Sequence, residues 1–357
     1  MRPRRLEFAL FGCGPAIFTL VAFVGFWSVI SVAGDFHKEF WPAGWRVLHG
    51  HSPYLPDAAH VDDGTAFPYP APAALLFAVF ALVPRHISEV IFAVACIGAV
   101  LGTLRVLEVR DWRLYGVVLV WAPVVNGWQS GNVSLLLALG IALVWRFRDR
   151  PVLAGCVAAA IVSLKPWVWP VFVWLLATRR FRGAAYGVIA GAALNVVAFG
   201  VLGFDEIGRY LGAAGHASSV FVHGAYTPMS LALRLGAGNT VADAVGVACA
   251  VAAGAACVYL GRRRDEVGAL ALAIALALLA TPVLWMHYFA LIIVPLALAR
   301  PRLELLWLLP IAMLDFTSRS TAVGETVIVL GVMGLLLAGA ARARPAGAGR
   351  HLVPASR

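Results

Sequence analysis

Gly34-Asp-Phe-His-Lys-Glu-Phe-Trp-Pro-Ala-Gly-Trp-Arg-Val-Leu-His-Gly-His-Ser-Pro-Tyr54, closing further on with Phe67-Pro-Tyr-Pro-Ala-Pro72, follows an apolar run from 8 to 33. That run of about 26 residues exceeds the roughly 20 that a helix needs to cross hydrocarbon. Arg2, Arg4 and Arg5 precede it, so basic-residue bias puts the N-terminus in the cytoplasm and Asp35 outside. Ser31-Val32-Ala33 looks like a small-x-small cleavage site. The apolar run, however, is longer than the 7–15 residues of a signal-peptide core, and an uncleaved span is expected. The quoted stretch therefore begins where the first span leaves the bilayer. Trp41, Trp45 and Leu48 recur at i, i+4 and i+7, which predicts a helix on the membrane surface starting near Pro42.

The rest of the chain has the same character. Of its 357 residues 61% are hydrophobic and only 13% charged, and the mean hydropathy is +0.86. A water-soluble fold of this size needs far more charge on its surface, so the sequence specifies an all-α, polytopic integral membrane protein. The net charge of +10 sits in short clusters between apolar runs rather than in a basic stripe interleaved with aromatics. It sets membrane orientation and does not point to nucleic acid. Cys13, Cys96, Cys156, Cys249 and Cys257 all lie inside apolar stretches without Cys-x-x-Cys spacing, which fits small packing residues better than a zinc site or a disulfide framework.

The basic clusters at 105–113, 146–150, 179–182, 262–264, 300–302 and 342–350 impose a parity condition. If each is cytoplasmic, an even number of crossings separates neighbours. Apolar segments at 114–128 and 133–145, 152–164 and 167–177, 186–204 and 241–260, 270–281 and 285–298, and 303–316 and 323–341 satisfy it in pairs. Between Arg5 and Arg105 there are three, and 73–83, with about 11 apolar residues, is too short to cross at 1.5 Å per residue. It reads as a re-entrant or interfacial helix, giving about 12 spans with both termini inside. Short helices broken by proline imply non-helical backbone at membrane depth, which requires a cavity to line. Residues 1–341 read as a single membrane domain and 342–357 as a disordered cytoplasmic tail.

With that topology Asp35, Gln129, Asn132, Lys165, His223, Tyr226, His287 and Arg319 all fall on the outer side. Ionisable groups near bilayer depth are costly unless they serve a cavity. Asp35 is either a base able to take a proton from a hydroxyl or a cap for the helix after Phe36. Lys165 is either a point charge for a phosphate or a residue snorkelling to the head groups. His287 is either a donor to a phosphate oxygen or a structural histidine. Gln129 and Asn132 either meet ligand hydroxyls or hold a turn. Tyr54, Tyr69, Trp41 and Trp45 are faces for a ring or a prenyl chain, or members of an interfacial belt. No phosphate loop, dinucleotide fingerprint or Asp-x-Asp motif is present in the sequence.

Six pieces in order, Asp35-Phe36, Ala43-Gly44 with Leu48-x-Gly50-x-x-Pro53-Tyr54, 67–76, Gly127-Trp-Gln-Ser-Gly-Asn132 running on to Leu137, Leu164-Lys-Pro166, and Thr281-Pro282 to His287, resemble glycosyltransferase family 87. Its members have the GT-C membrane fold and are typified by actinobacterial mannosyltransferases that use polyprenyl-phosphate mannose. The resemblance implies that Asp35 activates the acceptor and that the donor is a polyprenyl-phosphate sugar, mannose first and arabinofuranose next. It further implies inversion without metal or cofactor, a glycolipid or glycan acceptor, and a site on the outer face of a bacterial plasma membrane. Lys165, His287, Gln129, Asn132 and Tyr69 are then expected at the donor, and Tyr54, Trp45, His223 and Tyr226 at the acceptor. Trp41-Pro42, the loose 127–132 turn and the lone His287 depart from the family pattern.

Overall fold

The computed structural model describes residues 3–29, 34–55 and 64–342, and helices are the only repeating secondary structure among them. This follows from the composition, because lipid offers no partner for backbone N–H and C=O groups and a helix pairs them internally. The 31–33 cleavage motif and the tail from 343 lie outside the described residues.

Among the described residues five helices are long and apolar enough to cross a membrane: Arg4–Gly25, Arg85–Val106, Phe181–Leu202, Asn239–Arg262 and Val323–Ala341. The other segments expected to pair as crossings differ from that picture. Pro151–Leu164 and Glu266–Ala280 are shorter helices, and a 14-residue helix extends only about 21 Å against a core of about 30 Å. Ala122–Ser130 and Ser134–Arg146 form a pair bent by 117°. The 285–298 segment is a 3₁₀ helix, Met286–Ile292, followed by an α-helix, Ile293–Ala299, both largely buried inside the bundle. The 303–316 segment is mostly the 3₁₀ helix Leu305–Met313 with Pro310 inside it. Of the twelve expected crossings, five among the described residues are therefore helices long enough to span, six if the bent pair counts as one, and the rest are short or broken helices, as proline frees backbone groups that only a protein interior can satisfy.

The loops that carry the basic clusters meet one another. Arg146 pairs with Glu108, Arg148 and Arg180 share Glu266, and Arg180 also reaches Asp149 at 2.9 Å. Asp111 accepts the Leu303 N–H at 2.9 Å. Clusters spaced across the sequence thus assemble at one end of the bundle, as the parity of crossings requires.

At the first loop, Phe36–Phe40 forms a π-helical turn that runs without interruption into the α-helix Trp41–Leu48. Phe36 and Phe40 are fully buried; Phe40 stacks on Phe77 at 4.3 Å and Phe36 on Phe92 at 4.7 Å. Of the three residues expected on its outer face, Trp45 and Leu48 are exposed, whereas Trp41 is half-buried and donates its indole N–H to Val83 O at 3.1 Å. The short helix at 73–83 is found as Ala71–Phe80, ten residues long. It packs so closely on Trp41–Leu48 that a Cβ at Gly44 would lie 2.3 Å from the Phe77 carbonyl oxygen, an approach open only to glycine.

Candidate functional site

Asn132 stands at the bend between Ala122–Ser130 and Ser134–Arg146. The first helix ends on Gly131 in the left-handed region (φ 63°, ψ 41°), and the Asn132 N–H closes the turn onto Gly127 O at 3.1 Å. This glycine-terminated cap satisfies helix carbonyls and turns the buried Asn132 side chain inward. Its Oδ1 accepts from the Ser134 N–H at 3.2 Å, from Ser134 Oγ at 2.9 Å and from Lys165 Nζ at 3.0 Å. Its Nδ2 donates to Asp35 Oδ2 at 2.7 Å and to the Tyr69 hydroxyl at 3.2 Å. One amide thus joins the carboxylate and the lysine while it holds the turn.

Lys165 ends the helix Pro151–Leu164, where Pro166 breaks it. Its side chain is 5% exposed and turns inward rather than out to head groups. It donates to the Tyr69 hydroxyl at 3.2 Å, and Nζ lies 4.1 Å from the centre of the Tyr288 ring. Tyr69 is fixed from behind, since the Tyr54 hydroxyl donates to its carbonyl at 2.9 Å. Asp35 makes no cap bond to the turn that follows it. Its carboxylate is committed to Asn132 instead.

These groups open on a cavity of about 480 Å³. Asp35, Tyr69, Asn132, Lys165 and His287 line it; Gln129, Tyr54, Trp45, His223 and Tyr226 do not. Gln129 is half-buried on the last turn of its helix. Trp45 is exposed and stacks on His49 at 4.0 Å, and His223 is exposed. Tyr226 is fully buried and donates to Thr317 O at 3.0 Å, so it fixes the loop that brings Ser318 and Arg319 to the cavity. Arg234 ties the same loop down, donating to Ser320 O at 2.7 Å and Ala225 O at 2.6 Å.

Several lining residues escaped the sequence reading: Lys38, Glu39, Trp167, Trp285 and Tyr288, with Arg319 noted only for its side of the membrane. Glu39 was detectable as the residue one turn after Asp35. Its side chain has no hydrogen bond or ion pair among the described residues, so its carboxyl group faces the cavity without a protein partner. The roof is the helix Glu206–Phe221, which presents Tyr210, Ala214, Ala217, Ser218 and Phe221 to the cavity. Their spacing of three to four residues is one helical face.

His287 Nδ1 lies 3.0 Å from Asn126 Oδ1, while Nε2 is buried without a partner among the described residues. With that amide orientation Nδ1 carries the proton and Nε2 offers a lone pair. Nε2 donates to an anion only as imidazolium or after the Asn126 amide rotates.

The charges in the first loop and at the Lys165 turn modulate one another. Burial raises the Asp35 carboxyl above its ordinary range, against the Asn132 hydrogen bond and the Lys165 and Lys38 charges that lower it. Burial, and then the neighbouring Asp35, push Glu39 well up. Burial pushes the Lys165 ammonium down, against the pull of Asp35 and Glu39. Desolvation penalises each charge alone and the opposite charges offset part of that penalty.

Fold and site together define a polytopic membrane protein with a cavity where two carboxyl groups, a buried lysine and several aromatic rings converge. The chain belongs to glycosyltransferase family 87, which matches residues 67–282, more than half of its length. It is a membrane glycosyltransferase. The matched region contains Tyr69, Asn132 and Lys165, while Asp35, Glu39 and His287 lie outside it. No curated protein and no solved structure matches the chain.

Proposed function

We propose that the chain transfers a sugar, mannose first and arabinofuranose next, from a polyprenyl-phosphate donor to a hydroxyl of a glycolipid or glycan. The observation that carries this reading is the 2.7 Å bond from Asn132 to Asp35, in a cavity that Lys165 also lines. A base and a cation held by one amide suit a reaction in which a proton leaves one reactant and an anion leaves the other.

In this reading Asp35 takes the proton of the acceptor hydroxyl as its oxygen bonds to the anomeric carbon. The bond from that carbon to the phosphate oxygen breaks on the opposite side, with inversion, and its electron pair leaves with the polyprenyl phosphate. Lys165 stabilises that developing charge, and Arg319, exposed at the rim of the cavity, supplies a second cation. His287 meets the phosphate through water, or directly from Nε2 once the Asn126 amide rotates. Glu39, half-buried and without a protein partner for its carboxyl group among the described residues, hydrogen-bonds another hydroxyl of the acceptor. No step calls for a metal or cofactor. The arrangement is read as GT-C-like, with the cavity on the extracytoplasmic face of a bacterial plasma membrane and both termini cytoplasmic. The convergence of basic loops at one end of the bundle supports that orientation.

Purified protein, reconstituted with membrane lipid extract and labelled polyprenyl-phosphate mannose or arabinofuranose, should label one lipid-extractable or glycan product. Asp35→Asn should lower that transfer by about 10²–10⁴-fold while the protein stays folded. Near-normal turnover in the variant removes Asp35 from the chemistry. Movement of the donor across vesicles without any transfer makes the chain a transporter instead.

A further inference from the structure

A second cavity, of about 430 Å³, shares no residue with the first. Val173, Leu176, Phe181 and Val258 form much of its wall, and Arg179 and Arg262 also line it. Lys165 precedes and Arg179 follows the apolar segment Pro166–Ala177. At 1.5 Å per residue the two cavities are therefore roughly 20 Å apart along that segment.

Three observations determine what this cavity suits. The first is its place at one border of the hydrocarbon: Phe181 opens the span Phe181–Leu202 and Arg262 closes the span Asn239–Arg262. Val258 is one helical turn deeper than Arg262, and Val173 is nearly two turns from Arg179, so the lining passes from cationic to apolar with depth. The second is access, because only 17% of the apolar window of either span is buried within the protein and both stand on the lipid-facing perimeter. The third is charge. Arg148 and Arg180 are neutralised by Glu266, and Arg180 also by Asp149. Arg179 and Arg262 have no ion pair or side-chain hydrogen bond among the described residues.

We propose that this cavity binds an anionic phospholipid, with its phosphate between Arg179 and Arg262 and an acyl chain along Val173, Leu176 and Val258. Basic pockets between helices at the head-group level recognise such lipids. A free anion leaves the apolar wall uncovered, and a zwitterionic lipid leaves the cationic pair only partly neutralised. The site is independent of the transfer chemistry and anchors the ends of two perimeter helices.

The test uses the full-length chain in neutral detergent, with dioleoyl phosphatidylglycerol or dioleoyl phosphatidylcholine added and bound lipid counted by native mass spectrometry. Phosphatidylglycerol should be retained in preference. Each arginine should contribute about fivefold and the pair roughly 25-fold, so R179Q/R262Q should retain phosphatidylglycerol no better than phosphatidylcholine. R262Q alone, at an exposed helix end, should lose about fivefold and serves if the double variant does not fold. Equal retention of the two lipids, or an unchanged preference in the variants, overturns the proposal. So does full displacement of phosphatidylglycerol by inorganic phosphate, which would mark a simple anion site.

Discussion

Asn132 Nδ2 donates to Asp35 Oδ2 across 2.7 Å, joining residues 97 positions apart, while Oδ1 of the same amide accepts from Lys165. Asn132 is in this arrangement a positioning residue. Asn132→Ala should lower transfer by about 10–100-fold through misplaced groups. It should also move the acid limb of the pH–rate profile to higher pH, because the hydrogen bond that lowers the Asp35 pKa is lost. A variant with unchanged rate and limb denies Asn132 this part.

The pH dependence should be a narrow bell. Asp35 acts ionised, and burial raises its pKa, so activity falls as pH drops through that raised value. Lys165 acts charged, and burial lowers its pKa, so activity falls again as pH rises through that lowered value. The two limbs are properties of the coupled set rather than of single residues. Lys165→Arg should keep activity further into the alkaline range, because a guanidinium holds its charge. An alkaline limb that does not move assigns it to another group.

Glu39 should govern the acceptor and not the donor. Glu39→Gln keeps the shape but exchanges one carboxyl oxygen for an NH2, so the acceptor KM should rise by about 3–10-fold for one lost hydrogen bond, with donor KM unchanged. A change confined to donor KM places Glu39 at the phosphate instead. The measurement is initial rate against each substrate in turn.

Gly44→Ala tests the seat of the catalytic loop. The new Cβ would meet the Phe77 carbonyl at 2.3 Å, and such overpacking costs about 1–3 kcal/mol. The melting temperature should fall. Transfer should drop with it, because Trp41–Leu48 continues directly from the turn that carries Asp35 and Glu39. Equal stability and activity would show that the two helices separate freely.

Much of this could be read along the chain. Hydropathy alone marks the long spans, since Arg85–Val106 and Asn239–Arg262 are predominantly apolar with an arginine in the last turn. The surface helix at Trp41–Leu48 and the short helix at Ala71–Phe80 were legible from spacing and length, because both quantities are local. The 3₁₀ form of Met286–Ile292 was not, as its freed backbone groups are tolerable only within a packed interior.

The sequence by itself determined that the protein is helical, membrane-embedded and furnished with polar residues at the ends of its spans. Backbone satisfaction in lipid and the sign of loop charges leave few other solutions. Only the tertiary structure decided which of those residues meet. Asn132 reaches Asp35 because Gly131 and the 117° bend aim it there, while Gln129, three residues away, is left off the cavity. Contacts between residues far apart in the chain depend on how helices pack and bend, and no local pattern encodes that.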